Sequence, residues 1–241
     1  MKKKLILALA VALPAIPTLE WILSGVRDFS AFGDADVPLS LIVVYYPARV
    51  FALIGFVLMF YQFLLSARLP ILESTYKRAD LIKRHRSVGK IGFILILLHG
   101  LLMLLSDLVD YGTIAFSAGK LLGIGALFLL IIAVVAAWWF KPLQFTLKTW
   151  RRFHIAAFFV FPLAFFHAIS IGTVAGQLSA TQVIFGVFLA VYLFVAVRKI
   201  LAVVRGDAGS GARKPQPRPA AKPAPDGSHG PSDDTTEDEK R

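Results

Sequence analysis

The chain has 241 residues, 57% of them hydrophobic and only 17% charged, with a mean hydropathy of +0.69, against about 25% charged residues in a globular domain. A soluble domain of this size could not hide so much apolar surface, and the net charge of +11 sits in short loops between apolar runs, so it marks membrane orientation and anionic-lipid contact, with no nucleic acid as partner. The lack of cysteine excludes disulfides, iron–sulfur clusters, thiol catalysis and thioether-linked cofactors, and no glycine-rich phosphate loop is present to build a flavin or nicotinamide domain.

In chain order, Lys2, Lys3 and Lys4 precede an apolar run from Leu5 to Leu23. It reads either as a first span or as a cleaved signal peptide. Gly25 to Val37 reads as an outer polar loop with Asp28, Asp34 and Asp36. A second span lies within Leu39 to Ala67, bent near Pro47, and a basic loop with Arg68, Lys77, Arg78, Lys83, Arg84 and Arg86 follows. The third span runs from about Arg86 to Ser106, and Asp107 and Asp110 open a short outer loop. The fourth is about Lys120 to Phe140, then a basic loop carries Lys141, Lys148, Arg151 and Arg152. The fifth is about Phe153 to Ile171 and the sixth about Val183 to Val204. Runs of this length reach the roughly 20 residues that cross hydrocarbon. Basic and non-basic loops alternate, so both termini are expected in the cytoplasm. The expected fold is all-α, a polytopic six-transmembrane-helix bundle. Residues 1–38 form the first helix and outer loop, 39–205 the core, and 206–241 a disordered tail rich in Pro, Gly and Ala.

Four histidines fall in two matched pairs. His85 and His99 are fourteen positions apart on the third span, and His154 and His167 thirteen apart on the fifth. Spans three and five run parallel, so the pairs lie at two depths about 20 Å apart at 1.5 Å rise per residue. Fourteen residues return to nearly the same helix face, about 40° short of four turns. Thirteen leave about 220°, which a distortion at Pro162 could absorb. Imidazole in lipid needs a partner. Two helices offering paired imidazoles could clamp two hemes, one toward each side; the alternative is a set of helix-to-helix hydrogen bonds.

Arg84-His85-Arg86-Ser87-Val88-Gly89 followed by His99, and Trp150-Arg151-Arg152-Phe153-His154 followed by His167, resemble the third and fifth spans of the ferric reductase-like transmembrane family. That family includes the membrane cores of ferric reductases and NADPH oxidases. The resemblance covers roughly residues 40–205. It implies two b-type hemes, His85 with His154 as axial ligands of the inner and His99 with His167 of the outer. It further implies electron transfer from a cytoplasmic or quinol donor to an extracytoplasmic acceptor. NADPH-dependent members carry a flavin and nicotinamide domain after the last span; here the donor would be a separate flavoprotein or quinol, and a flavin would enter only through a partner or through the sister-group reading given below. Superoxide-forming members have a histidine one turn beyond the outer ligand, where this chain has Met103. A similar group is the heme membrane subunit of periplasmic methionine sulfoxide reductase systems, in which arginine usually stands at the place of His85. The expected location is the bacterial inner membrane.

Heme propionates are anionic, so Arg84, Arg86, Arg151 and Arg152 are candidate contacts at the inner side, or plain positive-inside charges. Arg49, after Pro47 in an apolar stretch, is expensive unless paired; the outer propionates or snorkelling to the surface would relieve it. Phe153, Phe158, Phe159, Phe161, Phe165 and Phe166 read as packing and lipid-facing surface. Trp138, Trp139 and Trp150 fit an aromatic belt, and His229 sits in the tail. A non-redox transport or assembly protein is the rival of another class.

Overall fold

The computed structural model describes residues 2–33, 35–139, 142 and 144–204, without the side chains of 147, 151, 154, 199, 200 and 202–204. The expected tail with His229 lies outside the described residues. The chain divides into units of residues 1–199 and 200–241, and all four paired histidines belong to the first.

Among the described residues there is no strand, and six helices are long and apolar enough to cross a membrane. They are α1 (Lys2–Ser30), a π-helical turn (Leu41–Tyr45) running into α2 (Tyr46–Ser66), α4 (Arg78–Tyr111), α5 (Ala118–Trp138), α6 (Leu147–Ile171) and α7 (Ala180–Val204), with a single-turn α3 (Pro70–Glu73) between α2 and α4. Near Pro47, where the sequence suggested a bend, the second crossing changes from the π-helical turn to α-helix. Pro47 occupies the first turn of α2, where its missing N–H costs nothing, and the wide turn before it bonds Tyr46 N–H to the Leu41 carbonyl.

Several helices run further than hydropathy alone marks. The third crossing begins at Arg78, so His85 lies two turns inside a formed helix. It ends at Tyr111, capped by Gly112 at φ +68°, a left-handed conformation that favours glycine. α1 continues through Ser30, so Asp28 is helical rather than part of a loop.

α2 is the packing centre. Leu53, Phe56, Val57, Phe60 and Phe63 meet Phe161 and Phe165 of α6 and Phe185, Phe188, Tyr192 and Val195 of α7. Phe60 stacks on Phe188 at 3.9 Å and 8° between ring planes; Phe56 stacks on Phe161 at 4.8 Å. Lipid is as apolar as these side chains, so close contact and ring geometry, not water exclusion, hold such helices together. Of the six phenylalanines of the fifth span, Phe161 and Phe165 are core, while Phe153, Phe159 and Phe166 are exposed.

Polar contacts tie α1 to the bundle. Trp21 Nε1–H donates to the Tyr46 carbonyl at 3.0 Å and Tyr61 O–H to the Ala10 carbonyl at 3.0 Å. The Glu20 carboxylate accepts from Ala180 N–H at 2.8 Å and Thr181 N–H at 2.9 Å, capping α7 from a different helix.

Candidate heme site

The outer histidines face each other. His99 on α4 and His167 on α6 have ring centroids 6.1 Å apart with planes at 60°. Each Nδ1 lies against a backbone carbonyl of a neighbouring helix: His99 on Ala48 at 3.0 Å and His167 on Gly119 at 2.8 Å. A carbonyl only accepts, so each Nδ1 carries the hydrogen and each Nε2 keeps its lone pair. This is how metal-binding histidines are oriented.

His85 repeats the pattern, with Nδ1 3.3 Å from the Gln62 carbonyl. Gln62 and Ala48 are themselves fourteen residues apart on α2, running opposite to His85 and His99. Both α4 histidines therefore pack on one helix in a single antiparallel register, and the fourteen-residue spacing does put them on a shared face. His154 lies in the second turn of α6, but its side chain, like that of Arg151, is outside the described residues.

His99 and His167 border one cavity of about 220 Å³. Its wall is mostly apolar, with Phe56, Ile96, Met103, Leu127 and Val160, and its polar members include Arg49, Asp107 and Lys120. None of the six phenylalanines of the fifth span lines it.

Close approach of α5 and α6 depends on Gly119 and Gly123, four apart on one face of α5. A Cβ on Gly123 would stand 2.6 Å from His167 Nδ1, and one on Gly119 2.5 Å from Ile171. Only hydrogen at these places lets the His167 ring lie flat against α5 and reach the Gly119 carbonyl.

Among the described residues no three side chains converge to cage a bare metal ion. Two imidazoles suit a metal that brings its other ligands. A shared metal with imidazole bonds of roughly 2 Å on each side, plus the half-widths of the rings, asks for centroids about 6 Å apart, and the observed 6.1 Å meets it. The residues present fit a bis-histidine heme at this position.

Arg49 has a partner that sequence did not name. Its Nη2 donates to Ser24 Oγ at 2.9 Å, its Nη1 lies 3.4 Å from Asp28 Oδ2, and Tyr46 O–H donates to the same carboxylate at 2.6 Å. The side chain is 8% exposed, and Nε has no hydrogen-bond partner. Asp107, expected in a loop, is buried near the end of α4 and ion-paired with Lys120. Acidic and basic residues flanking one short outer loop were the available signal for that pair. At the inner side Arg84, Arg86 and Arg152 are exposed, and the Arg84 guanidinium lies 5.2 Å from the Tyr76 ring centroid.

A six-span helical bundle with two imidazoles turned toward a shared apolar cavity is the class of protein these features define. Residues 51–165 match the family model of the ferric reductase like transmembrane component, so this stretch of the chain is similar to that family. The match takes in His85, His99 and His154 and stops two residues before His167. No curated protein matches the chain significantly.

Proposed function

We propose that the chain holds two b-type hemes between α4 and α6 and conducts electrons across the membrane. Bound there, the hemes supply one-electron redox chemistry between a cytoplasmic flavoprotein or quinol donor and an extracytoplasmic acceptor. The observation that carries the reading is the facing of His99 and His167 at 6.1 Å, with both Nδ1 atoms committed to carbonyls.

Each element of the site has a part in this. The Ala48 and Gly119 carbonyls fix each ring's tautomer and aim. Two histidines on one metal leave no position open, so no acceptor would bind at the iron. The wall of Phe56, Ile96, Leu127 and Val160 excludes water and sets a low local dielectric, one of the levers on reduction potential. His85 with His154 would hold the inner group, and Arg49 would neutralise carboxylates at the outer rim.

A second reading uses the same hydrogen bonds as helix-to-helix links in a non-redox protein. It leaves the paired Nε2 atoms without a purpose. A pyridine hemochrome assay on the purified full chain separates the two: about two hemes per chain supports conduction, and a colourless protein supports the second reading.

A further inference from the structure

Two cations stand in matching places around the outer cavity. The carbonyl that orients His99 belongs to Ala48, and the next residue is Arg49; the carbonyl that orients His167 belongs to Gly119, and the next residue is Lys120. Both cations line the cavity. Each leans on one carboxylate, Arg49 on Asp28 and Lys120 on Asp107.

Neither cation is saturated by its carboxylate. The buried Arg49 Nε has no partner, and of the three ammonium hydrogens of Lys120 one is taken by Asp107. The Lys120 and Asp107 side chains are 26% and 10% exposed. A buried ion pair is weak evidence of added stability, and ionised groups at membrane depth generally mark function.

We propose that Arg49 and Lys120 form a two-point carboxylate subsite on the outer rim, taking the two propionates of the heme held between His99 and His167, with Asp28 and Asp107 as positioning residues. The inference rests on the heme reading and adds Lys120 as the second contact. Because each cation follows the residue whose carbonyl aims an axial histidine, ring and carboxylates would be fixed by the same two turns, one at the start of α2 and one at the start of α5.

The test is a cycle between protein and ligand. Full-length chain is made in a heme-deficient host and titrated in its membranes with protoheme and with protoheme dimethyl ester, in which both carboxylates are masked. Lys120→Gln should weaken protoheme binding about 10-fold, the loss of one charge-assisted hydrogen bond, and leave ester binding unchanged. Asp107→Asn, which keeps the cation, should preserve the preference for protoheme over ester. Equal weakening of both ligands in Lys120→Gln would make Lys120 a structural ion-pair partner and overturn the proposal, as would no change in either. If the native chain binds both ligands alike, the subsite is refuted while the heme reading stands; if it binds neither, both fall.

Discussion

Replacing Gly123 with alanine tests whether the packing of α5 on α6 positions the outer ligand. The new Cβ would lie 2.6 Å from His167 Nδ1, 2.7 Å from Cε1 and 3.0 Å from Cγ. Ordinary carbon contacts are about 3.5 Å or more, so the ring must retreat by roughly 1 Å. The Nδ1···Gly119 separation of 2.8 Å would then pass the useful hydrogen-bond range of about 3.2 Å. Losing the group that orients a metal-bound histidine costs about 10- to 100-fold in affinity, or about 1.4 to 2.8 kcal/mol. Helix propensity acts in the opposite direction, since alanine is better than glycine by about 1 kcal/mol. Gly125→Ala is the control: it lies on the same helix, and its Cβ would meet nothing within 4 Å. Heme per chain by pyridine hemochrome, with thermal unfolding alongside, is the assay. Gly125→Ala should match the native chain, and Gly123→Ala should lose the outer heme while the bundle stays folded. Native heme content in Gly123→Ala would refute the reasoning.

His85→Ala should leave about one heme per chain and spare the outer one, because His99 and His167 do not depend on His85 for orientation; loss of both would contradict two separate sites. Glu20→Ala removes the carboxylate that accepts from Ala180 and Thr181 and should cost about 1 kcal/mol, the usual worth of an N-cap, read as a lower melting temperature with heme content unchanged. Phe60→Ala opens a cavity against Phe188 and should cost about 3 kcal/mol, again visible in thermal unfolding.

The six crossings were legible in the sequence because runs of about 20 apolar residues admit few other readings. The shared face of His85 and His99 was legible because fourteen residues nearly complete whole helical turns, and α2 receives both. Helix ends were read short. Hydropathy stops at the first charges, whereas α1 and α4 continue until Asp28 and Asp107 meet Arg49 and Lys120 on other helices. Those partners are non-local, and no local period encodes them. The Ala48 and Gly119 carbonyls were invisible for a different reason: a main-chain acceptor has no residue signature. Gly123 carries no signal in the sequence because its meaning depends on which helix lies beside it.

The most direct measurement asks whether His99 and His167 hold one iron from opposite sides. Carbon monoxide is added to the dithionite-reduced native chain and to His167→Ala, and the visible spectra are compared. The native chain should show no carbon monoxide complex, since both axial positions are filled, and His167→Ala should show one on the heme that His99 still holds. A native chain that takes up carbon monoxide, or a variant whose spectrum does not change, would contradict the account.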